Sequence, residues 1–353
     1  MDGFIVIDKP KGPTSHQIDF WLREIVSEKK VGHIGTLDPG ASGVLVMALG
    51  TAVKLIDIAH EFPKEYIAVM KLHGDFDVEK LSQTIHDFTS EIWQIPPMRS
   101  AVARNLRKRK IHEMEIMEIS ERDVLLRIKC ESGTYIRTLC TDIGYMVCFG
   151  GQMAELRRTL TGPFTESNAC TLQDVSDAFK LRKEGNEELW SRVFLPMDFL
   201  FRDTPKIVVK NSAIDNLSHG SDLFPGGIKA FIGNPRRNER VVLISDSNKL
   251  IATGTMLVSY DEIADVKVVD VDRVLVEPTG RRNDEHKPEV VGDRKGREKR
   301  VLSTGKGKVQ GNFRSNKVGQ HPGNSFHKGR GNTRPQRPPN RVRRIQGKKG
   351  IHT

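Results

Sequence analysis

Apolar and polar positions change period repeatedly along residues 1–200. Apolar runs, or runs that alternate apolar and polar positions, predict strands at Phe4–Ile7, Val44–Leu49, Glu65–Leu72 and Val124–Cys130. Apolar residues at helical spacing predict helices at Ser15–Glu28, Thr51–Ala59, Val78–Asp87 and Thr134–Val147. Strands interleaved with helices in this way are typical of an α+β body built on a mixed sheet.

From Pro205 the pattern changes to short strands joined by Gly-rich turns. "PKIVV" predicts one strand, "ERVVLISDSNKLIATGTMLV" predicts two strands joined by a turn, and "VDRVLVEP" predicts a closing strand. Between the first two lies "NSAIDNLSHG", which predicts a short helix that ends at a glycine. Residues 205–278 are therefore predicted to form a small β-barrel-like domain, after a linker that contains Pro196 and Pro205.

The charge of the chain is concentrated at one end. The net charge is +11, but residues 279–353 hold 21 Lys/Arg and 5 Asp/Glu, which leaves 35 basic and 40 acidic residues in 1–278. Residues 279–353 are rich in Gly, Asn, Arg and Pro, and they contain too few apolar residues to offset the entropy lost on ordering. The sequence predicts a disordered basic tail, which either contacts RNA or only increases solubility.

The cysteines and the lengths of the apolar runs argue against some classes of protein. Four cysteines occur without a C-x-x-C pair, which favours buried thiols in a reducing cytoplasm over a zinc site or a disulfide framework. No apolar run approaches the length of a membrane span, so no membrane association is expected.

One aspartate stands in a loop with several glycines, "VGHIGTLDPGASGVLVMALG". Pro39 pushes Asp38 towards an extended conformation, which fixes the direction of its carboxylate, and His33 lies five positions earlier. Asp-Pro-Gly is also a common surface turn, so this loop alone does not establish a catalytic carboxylate.

Three later stretches change this interpretation. "KEYIAVMKL" places Tyr66 at the start of a strand, "ESGTYIRTLCTDIG" places Arg137 in the first turn of a helix, and "GQMAELRRTLTGPF" contains Leu156. Together with "HIGTLDPGASGVL" and "IDKPKGPTSH", these motifs resemble the TruB-type pseudouridine synthases over about residues 1–200, in the order in which that family has them. Residues 205–278 resemble a PUA domain, and "QIPPMRSAVARNLRKRKIHE" is most similar to the archaeal and eukaryotic dyskerin branch.

The resemblance implies a fold, a reaction and a site. The fold would be the pseudouridine synthase fold, with a central mixed, largely antiparallel sheet. The reaction detaches uracil from its ribose, rotates it and rejoins it through carbon, and it implies no cofactor and no metal. Asp38 would be the catalytic carboxylate and Arg137 the guanidinium that keeps it ionised, while Tyr66, Leu156 and His33 would contact the flipped base or its neighbours. Taken alone, the last three are equally explained as a sheet aromatic, a helical core leucine and a structural histidine.

The resemblance also implies RNA contacts and partners. Basic side chains expected to contact RNA are Arg104, Arg107, Lys108, Lys110, Arg157, Arg158, Lys210, His219, Arg236 and Arg237. The dyskerin branch works with an H/ACA guide RNA, a substrate RNA and small core proteins, namely a zinc-ribbon-like protein, a β-barrel protein and a kink-turn binder, in the cytoplasm of archaea or the nucleolus of eukaryotes. The alternatives are a stand-alone transfer-RNA synthase and a non-catalytic RNA-binding or assembly protein.

Overall fold

The computed structural model describes residues 1–97, 103, 105–263 and 266–278. The strands are β1 (Gly3–Lys9), β2 (Val31–Ile34), β3 (Ser42–Leu49), β4 (Lys64–Leu72), β5 (Glu91–Gln94), β6 (Arg107–Ser120), β7 (Asp123–Cys130), β8 (Gly151–Thr161), β9 (Phe164–Thr165), β10 (Ala169–Cys170), β11 (Phe194–Pro196), β12 (Lys206–Val209), β13 (Ile228–Ile232), β14 (Arg240–Ile244), β15 (Leu250–Met256) and β16 (Val269–Val274). The α-helices are α1 (Ser15–Val26), α2 (Ile56–Glu61), α3 (Val78–Phe88), α4 (Ile136–Val147), α5 (Leu172–Lys183), α6 (Glu188–Val193) and α7 (Asn211–Ser218).

The larger sheet has 11 strands, with β10-β1-β3-β8-β4-β7-β6-β5 as its main path. Its pairings are antiparallel except for β1 with β10 and β3 with β8. The prediction of an α+β fold with a mixed, largely antiparallel sheet is therefore confirmed.

Strands β1 and β3 lie in the middle of the core and are buried on both faces. Ile5 and Ile7 belong to the apolar cluster that includes residues of α1, α4 and α5, and Phe4 and Val6 belong to a second cluster on the other face. A strand that is covered on both sides needs apolar residues at every position, which explains why these two segments read as continuous apolar runs.

The smaller sheet has the order β13-β12-β14-β15-β16, and α7 packs against it. Val242 and Ile244 of β14 join the apolar cluster that contains Phe4, so the two sheets share buried surface within one compact unit. Two ion pairs also link the smaller sheet to α2: Arg240 with Glu61 at 3.0 Å and Arg273 with Asp57 at 2.9 Å.

Several predicted elements differ from the structure in detail. The predicted helix at 51–59 is a 3₁₀ turn over Gly50–Leu55 followed by α2, and the helix predicted from Thr134 begins at Ile136. Leu156 lies on β8, so its alternative interpretation as a helical core residue is wrong. The predicted basic tail at 279–353 lies outside the described residues.

No α-helix within the described part of the chain is both long enough and apolar enough to cross a membrane.

Candidate active site

The loop that carries Asp38 is held in place by backbone hydrogen bonds. The Leu37 N–H donates to the Ser15 hydroxyl at 2.9 Å, and that hydroxyl donates to the Leu37 carbonyl at 3.2 Å. Immediately after it, the Ala41 N–H donates to the Asp38 carbonyl at 3.0 Å and closes a turn. Ser15, the first residue of α1, therefore fixes the backbone of Leu37, the residue that precedes Asp38.

Gly43 allows β3 and β8 to approach closely behind this loop. It has φ +98°, and a Cβ on it would lie 2.2 Å from the carbonyl oxygen of Arg158. Only glycine combines that backbone conformation with that space. This approach brings the middle of β8, which carries Arg158, under the Asp38 loop.

Arg137 reaches Asp38 from the start of α4. One terminal nitrogen of its guanidinium donates to Asp38 Oδ2. The carboxylate is 53% exposed and the guanidinium side chain 42%, so the ion pair lies in an open cleft. The pairing joins two parts of the chain that are 99 residues apart. A charge-assisted hydrogen bond of this kind fixes the direction of the carboxylate.

Tyr66 lies on β4, opposite Arg158 of β8. The Arg158 guanidinium is buried, and it donates to the carbonyl oxygens of Val44 at 2.7 Å and Gly35 at 2.8 Å. Its positive charge is also close enough to act on the Tyr66 phenol. Burial raises the pKa of Tyr66, which the nearby guanidinium partly opposes, so the phenol is protonated at neutral pH.

The burial of Arg158 contradicts the prediction that this side chain contacts RNA from the surface. The residue is only 1% exposed, its guanidinium donates to two backbone carbonyls, and it lines the cavity from the inside. Fixed carbonyl partners let an arginine remain charged inside a protein, because they replace the hydration that burial removes.

These side chains surround a cavity of about 490 Å³. Asp38 is the one carboxylate among its described lining residues, whereas Lys64, Arg137 and Arg158 supply positive charge. Apolar surface comes from Tyr66, Leu156 and Met153, among others. The cavity therefore combines one acidic group with a positive, partly apolar wall, which suits a planar base on an anionic backbone.

Lys64 is a site residue that the sequence analysis missed. It is buried, and its Nζ donates to the carbonyl oxygens of His60 and Phe62, each at 2.6 Å. Burial, together with the positive charge of Arg158, lowers the pKa of Lys64 to about 8. The signal was present in "KEYIA", because residues two apart on a strand face the same side and Tyr66 was already assigned to the site.

Gln94 was also missed, and no local pattern points to it. Its buried side-chain amide pairs with the backbone of Tyr135, the residue before α4. Ser15 was missed as well: Thr14 caps α1, and the Ser15 hydroxyl binds the Leu37 backbone instead.

His33 lies beside the site but is not one of the residues that line the cavity. Its Nδ1 is 2.7 Å from Asp19 Oδ2, and its Nε2 is 3.1 Å from the Thr36 hydroxyl. Both ring nitrogens are thus directed at protein groups, and a contact of His33 with RNA stays a prediction.

The other residues predicted to contact RNA occupy separate surfaces. Lys108 and Lys110 are exposed on β6, next to the half-buried Arg107, and Lys108 pairs with Glu91. Arg157 faces away from the cavity and binds both carboxylate oxygens of Asp8, at 2.9 and 3.1 Å.

On the smaller domain, four predicted contacts lie at the surface: Lys210, His219, Arg236 and Arg237. Arg104 lies outside the described residues. RNA contact at all these positions except Arg158 stays a prediction.

Family models match nearly the whole described chain. The N-terminal domain model of the TruB family of pseudouridylate synthases matches residues 23–81 and 73–136, and the C-terminal domain model of tRNA pseudouridylate synthase B matches 137–202. A curated relative from Picrophilus torridus, named probable tRNA pseudouridine synthase B, is 58% identical over 78% of this chain and 79% of its own length. The chain belongs to the TruB family of pseudouridine synthases. A PUA domain model matches residues 205–275.

Further relatives agree with this family. A protein from Thermoplasma volcanium with the same name is 49% identical over 100% of this chain and 96% of its own length. Among solved structures, a Cbf5–Nop10–Gar1 complex contains a chain that is 40% identical, with a TM-score of 0.72 over 78% of this chain and 85% of its own. An H/ACA RNP bound to a substrate RNA that contains 2′-deoxyuridine has a chain with 37% identity and a TM-score of 0.71.

Membership of the TruB family makes this protein an enzyme that forms pseudouridine. The alternative of a non-catalytic RNA-binding protein is therefore set aside.

Proposed function

We propose that this TruB-family enzyme is the catalytic subunit of an H/ACA-type ribonucleoprotein, in which a guide RNA selects the uridine of a ribosomal, and also a transfer, RNA. The observation that carries the proposal is the similarity, at TM-scores of 0.72 and 0.71, to chains solved within a Cbf5–Nop10–Gar1 complex and within an H/ACA RNP bound to substrate RNA. That similarity extends over 78% of the chain, which is more than residues 1–200 alone could cover, so it includes the smaller domain as well.

The proposed reaction centre is Asp38, the one acidic group among the described residues that line the cavity. An ionised carboxylate can act at the sugar or at the base, and each route needs the carboxylate deprotonated and correctly aimed. Arg137 aims the carboxylate through its hydrogen bond to Oδ2. In this proposal Asp38 is the catalytic residue and Arg137 its charged partner.

The proposed base-binding surface consists of Tyr66 and Leu156. The phenol ring offers a flat face for the extruded uracil, and Leu156, which is 9% exposed, closes the apolar side. Turning a nucleotide out of its stack costs a few kcal/mol, which stacking on an aromatic side chain offsets by about 1–3 kcal/mol per base. Arg158 lies opposite Tyr66 on the neighbouring strand and places a positive charge near its phenol.

We assign residues 1–200 to the catalytic domain and 205–278 to a PUA domain that binds the guide RNA. The exposed side chains of Lys210, His219, Arg236 and Arg237 are the proposed contacts of that domain. Small proteins equivalent to Nop10 and Gar1, which occur with the similar chain in a solved complex, are the proposed partners. For residues 279–353, an RNA contact rests on their net charge of +16 alone.

A stand-alone transfer-RNA synthase is the second candidate, and the names of the curated relatives favour it. The two are separated by incubating the purified full chain with unmodified transfer RNA, and with a guide RNA, its target and the small partner proteins. We expect pseudouridine on the guided target only when the guide is complementary to it. Full turnover on transfer RNA alone, with no gain from guide or partners, would establish the second candidate instead.

A further inference from the structure

Two histidines and one aspartate meet beside the catalytic loop. His16 and Asp19 lie one turn apart on α1, and His33 lies on β2, with Thr36 at the start of the Asp38 loop. Asp19 Oδ2 is 2.7 Å from His33 Nδ1 and 3.4 Å from His16 Nδ1. One ligand atom from each of the three residues lies within 4.8 Å of the other two. Within the described residues, this is the one such group of three or more.

The carboxylate at the centre of this group has an unused oxygen. Asp19 is 8% exposed, and its Oδ1 is buried without a hydrogen-bond partner among the described residues. A buried carboxylate with one oxygen left unsatisfied costs free energy, so a cation bound at its other oxygen, Oδ2, would help to neutralise the group. This second observation is independent of the spacing of the two imidazoles.

The second ring nitrogen of His33 makes the kind of hydrogen bond that is common for metal-bound histidines. A metal-bound imidazole commonly donates its other N–H to an oxygen, which fixes the tautomer and the plane of the ring. His33 Nε2 lies 3.1 Å from the Thr36 hydroxyl, so Nδ1 is the nitrogen left for a metal. His16 is largely exposed and its ring packs edge-on against His33 at 5.1 Å, so it can adjust its position and the site remains open to solution.

We propose that His16, Asp19 and His33 form a site for a divalent transition-metal ion such as Zn²⁺. Two imidazole nitrogens and one carboxylate oxygen are ligands that Zn²⁺ accepts at about 2.0–2.2 Å, with water as the fourth ligand. Ligand atoms of a tetrahedral site at such distances are about 3.3 Å apart. The 3.4 Å separation already fits, and the 2.7 Å contact opens by roughly half an ångström as the metal replaces the proton between Asp19 and His33.

The metal would have a structural role. It would join α1 to β2, and through Thr36 it would stabilise the backbone that leads to Asp38. The three residues do not line the cavity, so the proposed metal would take no part in the reaction.

The test is metal binding by the full chain, with Co²⁺ as a spectroscopic probe and Zn²⁺ as competitor. We expect the wild type to show the ligand-field absorption of four-coordinate Co²⁺ and to lose it when Zn²⁺ is added. His16→Ala removes one ligand from an exposed position, so it should fold normally and bind at least about tenfold more weakly. Asp19→Asn, which keeps the size of the side chain, should lose the signal as well.

His219→Ala is the matched control, because His219 is exposed on α7 and its Nδ1 lies 2.8 Å from the Asp215 carbonyl. It shows whether the loss of a histidine outside the proposed site changes metal binding. Its Co²⁺ spectrum should equal that of the wild type. Zn²⁺ at a few times the wild-type Kd should raise the thermal midpoint of the wild type and of His219→Ala clearly more than that of His16→Ala. Equal Co²⁺ spectra and equal thermal shifts in wild type and His16→Ala would overturn the proposal, as would the absence of any Co²⁺ spectrum in the wild type.

Discussion

The side-chain amide of Gln94 pairs with both polar groups of the Tyr135 backbone. Gln94 Oε1 accepts from the Tyr135 N–H at 3.0 Å, and Nε2 donates to the Tyr135 carbonyl at 3.2 Å. Tyr135 caps α4, and Arg137 follows two residues later. The end of β5 therefore determines where α4 begins and, through it, where the guanidinium that binds Asp38 is located.

Replacing Gln94 by Ala should reduce catalysis more than it reduces stability. We expect kcat to fall by about tenfold to a hundredfold, because displacing a positioned group by about 1 Å has effects of that size. The loss of two hydrogen bonds should cost on the order of 2 kcal/mol in the free energy of unfolding. Gln83→Ala is the control, since Gln83 is exposed and, among the described residues, its side chain pairs with Asp87 on its own helix. Single-turnover rates under conditions where both variants are folded measure the effect, and an unchanged kcat would refute the positioning role.

Asp38→Asn should abolish pseudouridine formation while RNA binding is retained. The amide keeps the size of the side chain but cannot carry the negative charge, so we expect the rate to fall by on the order of 10³ or more. Asp142→Asn provides the comparison, because Asp142 lies on the same helix as Arg137 but does not line the cavity. Pseudouridine content and RNA affinity are measured on the same preparations. Near-normal turnover by Asp38→Asn would remove Asp38 from the proposed mechanism.

Gly43→Ala should destabilise the fold by about 2 kcal/mol or more. The added methyl group would meet the Arg158 carbonyl at 2.2 Å, and the residue would have to keep φ +98°. Gly40→Ala tests the same loop without either problem, since no atom lies within 4 Å of its added Cβ and its φ is not positive. Urea unfolding midpoints of the two variants should differ clearly, and equal midpoints would contradict the close approach of β3 and β8.

Lys64 should make stability depend on pH in a particular direction. Its pKa is about 8 in the folded protein, compared with 10.5 in a solvated chain. Below pH 8 the Lys64 side chain is charged in both the folded and the unfolded protein. The free energy of unfolding is then reduced by the full cost of burying this charge. Between these two pKa values the folded state releases the proton first, so the stability contributed by this group rises with pH.

The effect is measured as the difference in free energy of unfolding between wild type and Lys64→Met. That difference should move in favour of the wild type by up to roughly 3 kcal/mol as pH rises through this window. Lys71→Met on the same strand serves as control, because Lys71 is exposed and should show little change. A pH-independent difference for Lys64→Met would show that its pKa is not lowered.

Deleting residues 279–353 should weaken RNA binding mainly at low salt. This segment carries a net charge of +16, and contacts between cations and phosphates lose affinity steeply as salt rises because counterions are released on binding. Affinities of the full chain and of 1–278 for the same RNA, measured over a range of salt concentrations, should converge at high salt. Equal affinities at every salt concentration would rule out a contact between this segment and RNA.

Local sequence determined the elements and their chemistry. The apolar runs at Phe4–Ile7 and Val44–Leu49 predicted strands, and the structure has β1 and β3 there, buried throughout their centres. The resemblance of four motifs predicted that Asp38, Tyr66, Arg137 and Leu156 share a site, and all four line one cavity. These properties follow from patterns of a few residues, so one segment at a time is sufficient to read them.

Only the tertiary structure decided which way each side chain faces. Arg157 and Arg158 are adjacent, and alternation along a strand places them on opposite sides, but it does not say which one faces the site. The register of β8 against β4, with Arg158 opposite Tyr66 and a bulge next to that pair, turns Arg158 inward and leaves Arg157 with Asp8. Likewise His33 pairs with Asp19, and Gln94 with Tyr135, because helices and strands distant in sequence meet there. Such pairings depend on the packing of the whole sheet, and for that reason no local pattern predicts them.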